Sequence, residues 1–257
     1  MAAREVPSFA LSVTSRDGCC ENAATQRRNK KANAISRMVS KEFEAGNLNK
    51  CIELIRDELV LRKQEHDIRG EVNALQNLGR VHDELKRWNE AVADYQEAYG
   101  LARSLEDPSL LARLTSAIAT VLFRSGELRG SLDYYMRAFS HYEHCRNLEM
   151  QVQQLSSIGF IQLHLNMPHE AKTSLNKARE LFAESPISDR VRAVVMSSLA
   201  SASETLGELL EAIKSYEQAK QLFLRCGEHE LAGKIQGKLL FLLKRSASTN
   251  TEKPHCA

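Results

Sequence analysis

Residues Leu78 to Ala102 read LGRVHDELKRWNEAVADYQEAYGLA, and this stretch decides the architecture. It has the pattern of two short helices joined by a tight turn. Recognisable versions of it recur along most of the 257-residue chain.

The repeat is seen by stepping from the Leu78-Gly79 pair in intervals of 40 residues. Upstream lies Met38-Val39; downstream lie Ile118-Ala119, Ile158-Gly159 and, after a one-residue insertion, Leu199-Ala200. Twelve residues after each second member comes another small residue: Cys51, Ala91, Ser131, Ala171 and Ala212. Four further on stands a large one, Ile55, Tyr95, Tyr135, Leu175 or Tyr216, and three beyond that come Glu58, Ala98, Ala138, Ala178 and Ala219. A fixed internal period of this length marks a stacked repeat.

Steric exclusion explains the spacing. Antiparallel helices approach closely only where neither carries a bulky side chain at the crossing. The Gly79-type and Ala91-type residues are assigned to that crossing, the Ala98-type residue to the meeting of the second helix with the next unit, and the Tyr95-type residue to the wedge between them. Gly46, Gly126, Gly207 and Asn166 fall at the same point between the two helices, where a left-handed conformation ends the first one. Lys86 takes that place in the second unit, a local departure. An apolar residue beyond the turn (Leu48, Trp88, Leu128, Pro168 or Leu209) closes each hairpin. Between units, Asp67, Asp107 and Asn147 are 40 apart and suit helix N-caps. Pro108 after Asp107 suits a first helical turn, and Glu184 to Asp189 absorbs the insertion.

These landmarks resemble those of the tetratricopeptide repeat family. The units start near Ala32, Val72, Ala112, Val152 and Ala193 and occupy residues 32–228. The family unit is commonly about 34 residues; here the second helix is longer, as in kinesin light chains and spindle-orientation adaptors. The resemblance implies an all-α, right-handed superhelical α-solenoid of five helix pairs. Val39 and Glu58 stand where the first unit should carry small residues, so that unit is either loosely packed or a terminal cap.

His229 to Arg245 follows as a capping helix, with Leu231, Ile235, Leu239 and Leu242 on one face. Leu240, Phe241 and Leu243 widen that face, either to cover the last unit or to meet a partner or second copy. Residues 1–31 and 246–257 lack helical periodicity and are expected to be a flexible tail and a disordered tail. In the first, Cys19-Cys20 is expected to be unmodified, and Arg27 to Lys31 is read as a solvated charge run rather than an import signal.

Composition agrees with an all-α chain: 43% hydrophobic and 26% charged residues, with only 12 Gly and 5 Pro. A net charge of +2 gives no electrostatic argument for nucleic acid. Six irregularly spaced cysteines argue against a disulfide framework or zinc site. The apolar runs Phe9–Val13 and Leu239–Leu243 are too short for a signal core or a membrane span. A cytoplasmic protein is expected, with cytoskeletal or ciliary settings included by the resemblance.

No GxGxxG loop, Walker loop or HExxH occurs, so no enzyme, cofactor or metal is expected. His141 and His144 share a helix face but lack further ligands. The resemblance implies instead a scaffold whose first helices line a groove for a peptide or helical segment of a protein partner. The register places Asn73, Gln76, Asn77, Arg80, Arg113, Ser116, Arg124, Gln153 and Ser156 there. Their short hydroxyls and amides either bond a peptide backbone or are merely tolerated on a wet surface. Ser36, Ser40, Thr120, Phe160 and Ser201 share these rows. The Lys/Asn/Asn/Lys/Arg clamp of chaperone-binding family members is missing, since Gln76, Arg80, Ala117, Gln153 and Ser157 occupy the central units.

Overall fold

The three positions of each unit at which the spacing calls for small residues are buried in all five units. Val39, Gly79, Ala119, Gly159 and Ala200 form one such row; Cys51, Ala91, Ser131, Ala171 and Ala212 form the next; Glu58, Ala98, Ala138, Ala178 and Ala219 form the third. These burials come from a computed structural model that describes residues 17–183 and 186–251, with side chains described for 26–182 and 186–246.

Among the described residues there are eleven α-helices and no strand. They are α1 (Asp17–Glu44), α2 (Leu48–Gln64), α3 (Ile68–Glu84), α4 (Trp88–Ala102), α5 (Pro108–Ser125) and α6 (Leu128–His144). They continue as α7 (Leu148–His164), α8 (Pro168–Glu180), α9 (Asp189–Thr205), α10 (Leu209–Arg225) and α11 (His229–Thr251). The chain therefore has the five helix pairs and final helix that its repeat implies. It divides into two units, one up to Ala74 and one from Leu75 onward.

In the second unit α5 packs on α6, α7 on α8 and α9 on α10, while α4, α6, α8 and α10 each pack on the helix that follows. The small residues work by admitting a neighbour. A Cβ on Gly159 would lie 2.5 Å from Cγ of Leu175, and one on Gly79 would lie 2.9 Å from the Tyr95 ring. Ser131 adds a bond across the same crossing, its hydroxyl donating to the Ala119 carbonyl at 2.7 Å. Tyr135 is the exception in its row: it is half-buried, and its hydroxyl lies 2.9 Å from that of Thr120.

The turns behave as their residues require. Gly46, Gly126, Gly207 and Asn166 all have positive φ, and Lys86 takes the same conformation at φ 58°. The departure at Lys86 is thus one of side chain, not of backbone. Asp107 caps α5 by accepting from the Leu110 amide at 3.0 Å, and Asn147 caps α7 by accepting from Met150 at 3.1 Å. Of the junction expected to absorb the insertion, Glu184 and Ser185 lie outside the described residues.

The first unit packs α1 on α2 around Ala32, Ile35, Val39, Cys51, Ile52 and Ile55. Glu58, where other units have Ala, is only 2% exposed. Its carboxylate accepts from Nη2 of Arg62 at 3.1 Å, and the same guanidinium reaches Oδ2 of Asp67 and Oδ1 of Asn33, each at 2.7 Å. Burial nevertheless lifts the Glu58 carboxyl above its ordinary 4.5, with Arg62 opposing. Asp67 also caps α3, accepting from the Gly70 amide at 2.9 Å.

Both ends differ from the expected tails. Helix α1 begins at Asp17, within the segment expected to be flexible, and α11 runs on to Thr251, past Arg245. No Pro or Gly interrupts the chain between Gly18 and Gly46 or between Gly237 and Thr251, and an existing helix propagates through polar residues at one hydrogen bond per residue. The basic run lies on this first helix, where Arg28 pairs with Glu65 at 2.6 Å. The side chains of Cys19 and Cys20 and residues 252–257 lie outside the described residues.

Two outcomes follow from these packings. Alanine in place of a helical glycine ordinarily stabilises by about 0.5–1 kcal/mol, and Gly100, with open space around its Cβ position, should show that gain. Gly159→Ala should instead destabilise by about 1–3 kcal/mol through overpacking against Leu175; paired urea titrations of the two variants measure the contrast. The second concerns pH. Because the folded pKa of Glu58 is raised, the folded state binds more protons than the unfolded chain above 4.5, and stability from this group falls as pH rises through that window. Glu58→Gln should flatten that slope, and melting curves of both proteins between pH 4.5 and 7 test it.

Candidate functional site

Every first helix from α3 to α9 turns one packed face toward its partner and leaves another face open. The register residues on the open face are those expected to line a groove. In the second unit Gln76 and Asn77 are half-buried on α3 and Arg80 is exposed. On α5, Arg113 is exposed and reaches Oε1 of Gln76 through Nη2 at 3.4 Å. Ser116 donates to Oε1 of the buried Gln154 at 2.9 Å, so this hydroxyl already serves α5–α7 contact. Asn73 is exposed and belongs to the first unit.

Arg124 is engaged rather than available. Its Nη1 lies 2.6 Å from Oδ2 of Asp83 and 3.9 Å from Oε1 of Glu84. Burial raises the Asp83 carboxyl pKa, and Arg124 opposes that shift. The positive charge of Arg124 is therefore partly cancelled within the fold.

Gln153 and Ser156 come together on one stretch of the surface. Both line a cavity of about 470 Å³ between α7 and α9, together with Glu149, Ser157, Arg190 and Val194. A second cavity of about 190 Å³ shares Ser156, Ser157 and Val194 and is floored by Phe123, Phe160 and Ile161. Phe123 and Phe160 meet edge to face at 5.7 Å, and His164 lies against Phe160 at 4.5 Å. Phe160 is 43% exposed and Val194 is 41% exposed.

Sequence reasoning missed Phe123, Val194 and Arg190 as site residues and gave Phe160 no special weight. The available signal was a large apolar residue in a groove row: Phe160 stands where the other units carry Ser40, Arg80, Thr120 and Ser201. An aromatic exposed at such a position leaves apolar surface open to a partner. Ser201 is held differently, its hydroxyl 2.9 Å from that of Tyr216, which also bonds Glu204 and Lys238.

Several titratable groups join neighbouring helices. Nδ1 of His82 lies 2.6 Å from Oδ2 of Asp94, tying α3 to α4, and burial raises the Asp94 carboxyl pKa. Among the described residues no hydroxyl or thiol bonds that imidazole. Tyr95 is pushed up to about 12 by burial, with Asp83 adding to the shift. His141 packs beside the Tyr99 ring, and burial, then His144, depress its pKa. Among the described residues no group of three or more His, Cys, Asp or Glu side chains is placed to hold a metal ion. Nor is any described helix long and apolar enough to cross a membrane.

Residues 71–144 match the family model described as Tetratricopeptide repeat. These residues are tetratricopeptide repeats. Solved structures carry the same fold over most of the chain. RapI in its apo form is 15% identical with a TM-score of 0.73, covering 87% of this chain and 84% of its own. Nearly identical TPR-like repeats of kinesin light chain type from Podosopora anserina are 12% identical with a TM-score of 0.63, over 76% and 96% of the two chains. A Rap protein complexed with Competence and Sporulation Factor is 15% identical with a TM-score of 0.55, over 85% and 65%. At these identities the likeness is one of fold. Among curated proteins, none matches the sequence significantly. Tetratricopeptide arrays serve in general as protein-interaction scaffolds, because stacked repeats present an extended surface.

Proposed function

We propose that this tetratricopeptide array is a non-catalytic adaptor that holds a peptide or helical segment of another protein in the groove along its first helices. The observation that carries this reading is the paired cavity between α7 and α9. Its floor of Phe123 and Phe160 offers an apolar anchor, and Ser156, Ser157 and Ser198 beside it offer donors and acceptors. An aromatic-lined recess with a few polar groups suits one buried side chain and an adjoining peptide backbone. The Rap protein bound to Competence and Sporulation Factor shares the fold, which supports the reading by analogy. Gln76, Asn77, Arg80 and Arg113 would extend contact toward α3, with Ser116 and Arg124 flanking it.

A second reading rests on α11. Leu240, Phe241 and Leu243 there are 51%, 62% and 45% exposed, more apolar surface than a cap requires. On this reading the array is an architectural subunit of a cytoplasmic assembly, cytoskeletal or ciliary, docked by its terminal helix.

The groove reading is tested by selecting random dodecapeptides on the wild-type protein and measuring the winners against two variants. Phe160→Ala should weaken them about tenfold or more while lowering stability by about 1 kcal/mol or less, since the ring is half in solvent. Asn77, Arg80 and Arg113 changed together to Ala should weaken those peptides that extend toward α3. Selected peptides bound equally by both variants would rule the groove out. For the second reading, a complex recovered intact with Phe241→Glu would exclude docking through α11.

A further inference from the structure

A second recess lies on the other side of α9. Val194 and Ser198 face the groove, whereas Arg192 and Met196 are two residues away from Val194 in either direction, about 200° round the helix. Those two side chains line a cavity of about 730 Å³ bounded by the end of α8 and by α10. Arg179, Arg192, Lys214, Lys220 and Arg225 all face it. Only Glu217 among its lining residues is acidic, and Asp189 at the edge lies 3.5 Å from Arg192 and 3.3 Å from Arg225. Five cations thus face two carboxylates in a chain whose net charge is +2. Among the described residues Arg179, Lys214 and Lys220 have no ion-pair partner, and Nε of Arg192 is buried without a hydrogen bond.

We propose that this recess binds an acidic segment of a partner protein, independently of the groove. Lys214 and Arg225 stand eleven residues apart on α10, about 16 Å along its axis, which suits a row of carboxylates better than a single phosphate. Lys214, Gln218, Gln221 and Arg225 recur at helical intervals on α10, a stripe about 16 Å long. That length spans about five residues of extended peptide. Gln218 and Gln221 each donate and accept, as a peptide backbone does. Met196, Leu222 and the Phe182 ring, with the Arg192 guanidinium 5.4 Å above it, give an apolar floor for one uncharged side chain.

The test uses the full chain and a fluorescein-labelled nonamer of glutamates with one central leucine, followed by anisotropy. Saturable binding is expected, falling as salt is raised because the contacts are exposed, and absent for the matching glutamine nonamer. Lys214→Glu with Arg225→Glu should weaken it at least about tenfold, and Phe160→Ala should leave it unchanged. Lys214→Gln with Arg225→Gln provides the same reading should the reversal fail to fold, as judged by circular dichroism. The proposal is overturned by no saturable binding of the glutamate nonamer, by equal binding of the glutamine one, or by an affinity unmoved in the folded charge variants. Loss on Phe160→Ala would overturn it too, as would tighter and equally charge-dependent binding of oligothymidylate or phosphatidylserine vesicles.

Discussion

The closeness of the two helices in each pair is the constraint on which the second unit depends. At Gly159 it is absolute: Leu175, itself fully buried, stands where a Cβ would be. At Gly79 the Tyr95 ring does the same. With no side chain in the way, second-helix residues sit over the backbone of the first, and dispersion contacts accumulate along the crossing. The turn then has only two or three residues in which to reverse direction, which forces left-handed backbone at Gly126, Asn166 and Gly207, and at Lys86 where no glycine is present. Packing outweighs the local conformational cost there.

The same constraint explains why the fold was legible in the sequence. Steric exclusion acts at fixed points, so Gly79, Ala91 and Ala98 have counterparts at constant spacing. The site was less legible because its contacts join side chains of different repeats. Phe123 and Phe160 meet across two helices, and neither residue alone announces an aromatic floor. Arg124 stands on α5 and the Asp83 carboxylate it pairs with stands on α3, so the pair joins two repeats. The helix ends were illegible for another reason. Periodicity reports burial, and α1 from Asp17 and α11 to Thr251 continue through residues with no apolar pattern to display.

The first unit meets the packing requirement by a different route. Glu58 occupies a position that holds Ala in the other pairs, and Arg62, Asn33 and Asp67 gather round it. Breaking a buried ion pair by removing one partner leaves the other charge without compensation. Here Arg62 keeps Asp67 and Asn33, so the cluster does not depend on Glu58 alone. The cluster ties α1 to α2 and to the start of α3. The raised Glu58 pKa shows that burial outweighs the Arg62 interaction for that carboxyl.

Because packing constrains one face of each helix, the remaining faces are free to differ between repeats, and they do. Val194 and Met196 are separated by a single residue on α9, yet one borders serines and aromatic rings and the other a row of arginines and lysines. Neither surface is required by the repeat: the groove row carries Ser40, Arg80 and Thr120 where Phe160 stands, and the first helices pack equally well. Exposed apolar and like-charged side chains add little to the stability of a folded chain, and clustered like charges detract from it. Their concentration around α9, on both of its open sides, is therefore unexplained by folding, and the proposed binding roles would account for it. The landmarks that repeat identify the architecture; on the proposed function, the departures from repetition around α7 to α10 would carry the specificity of the array.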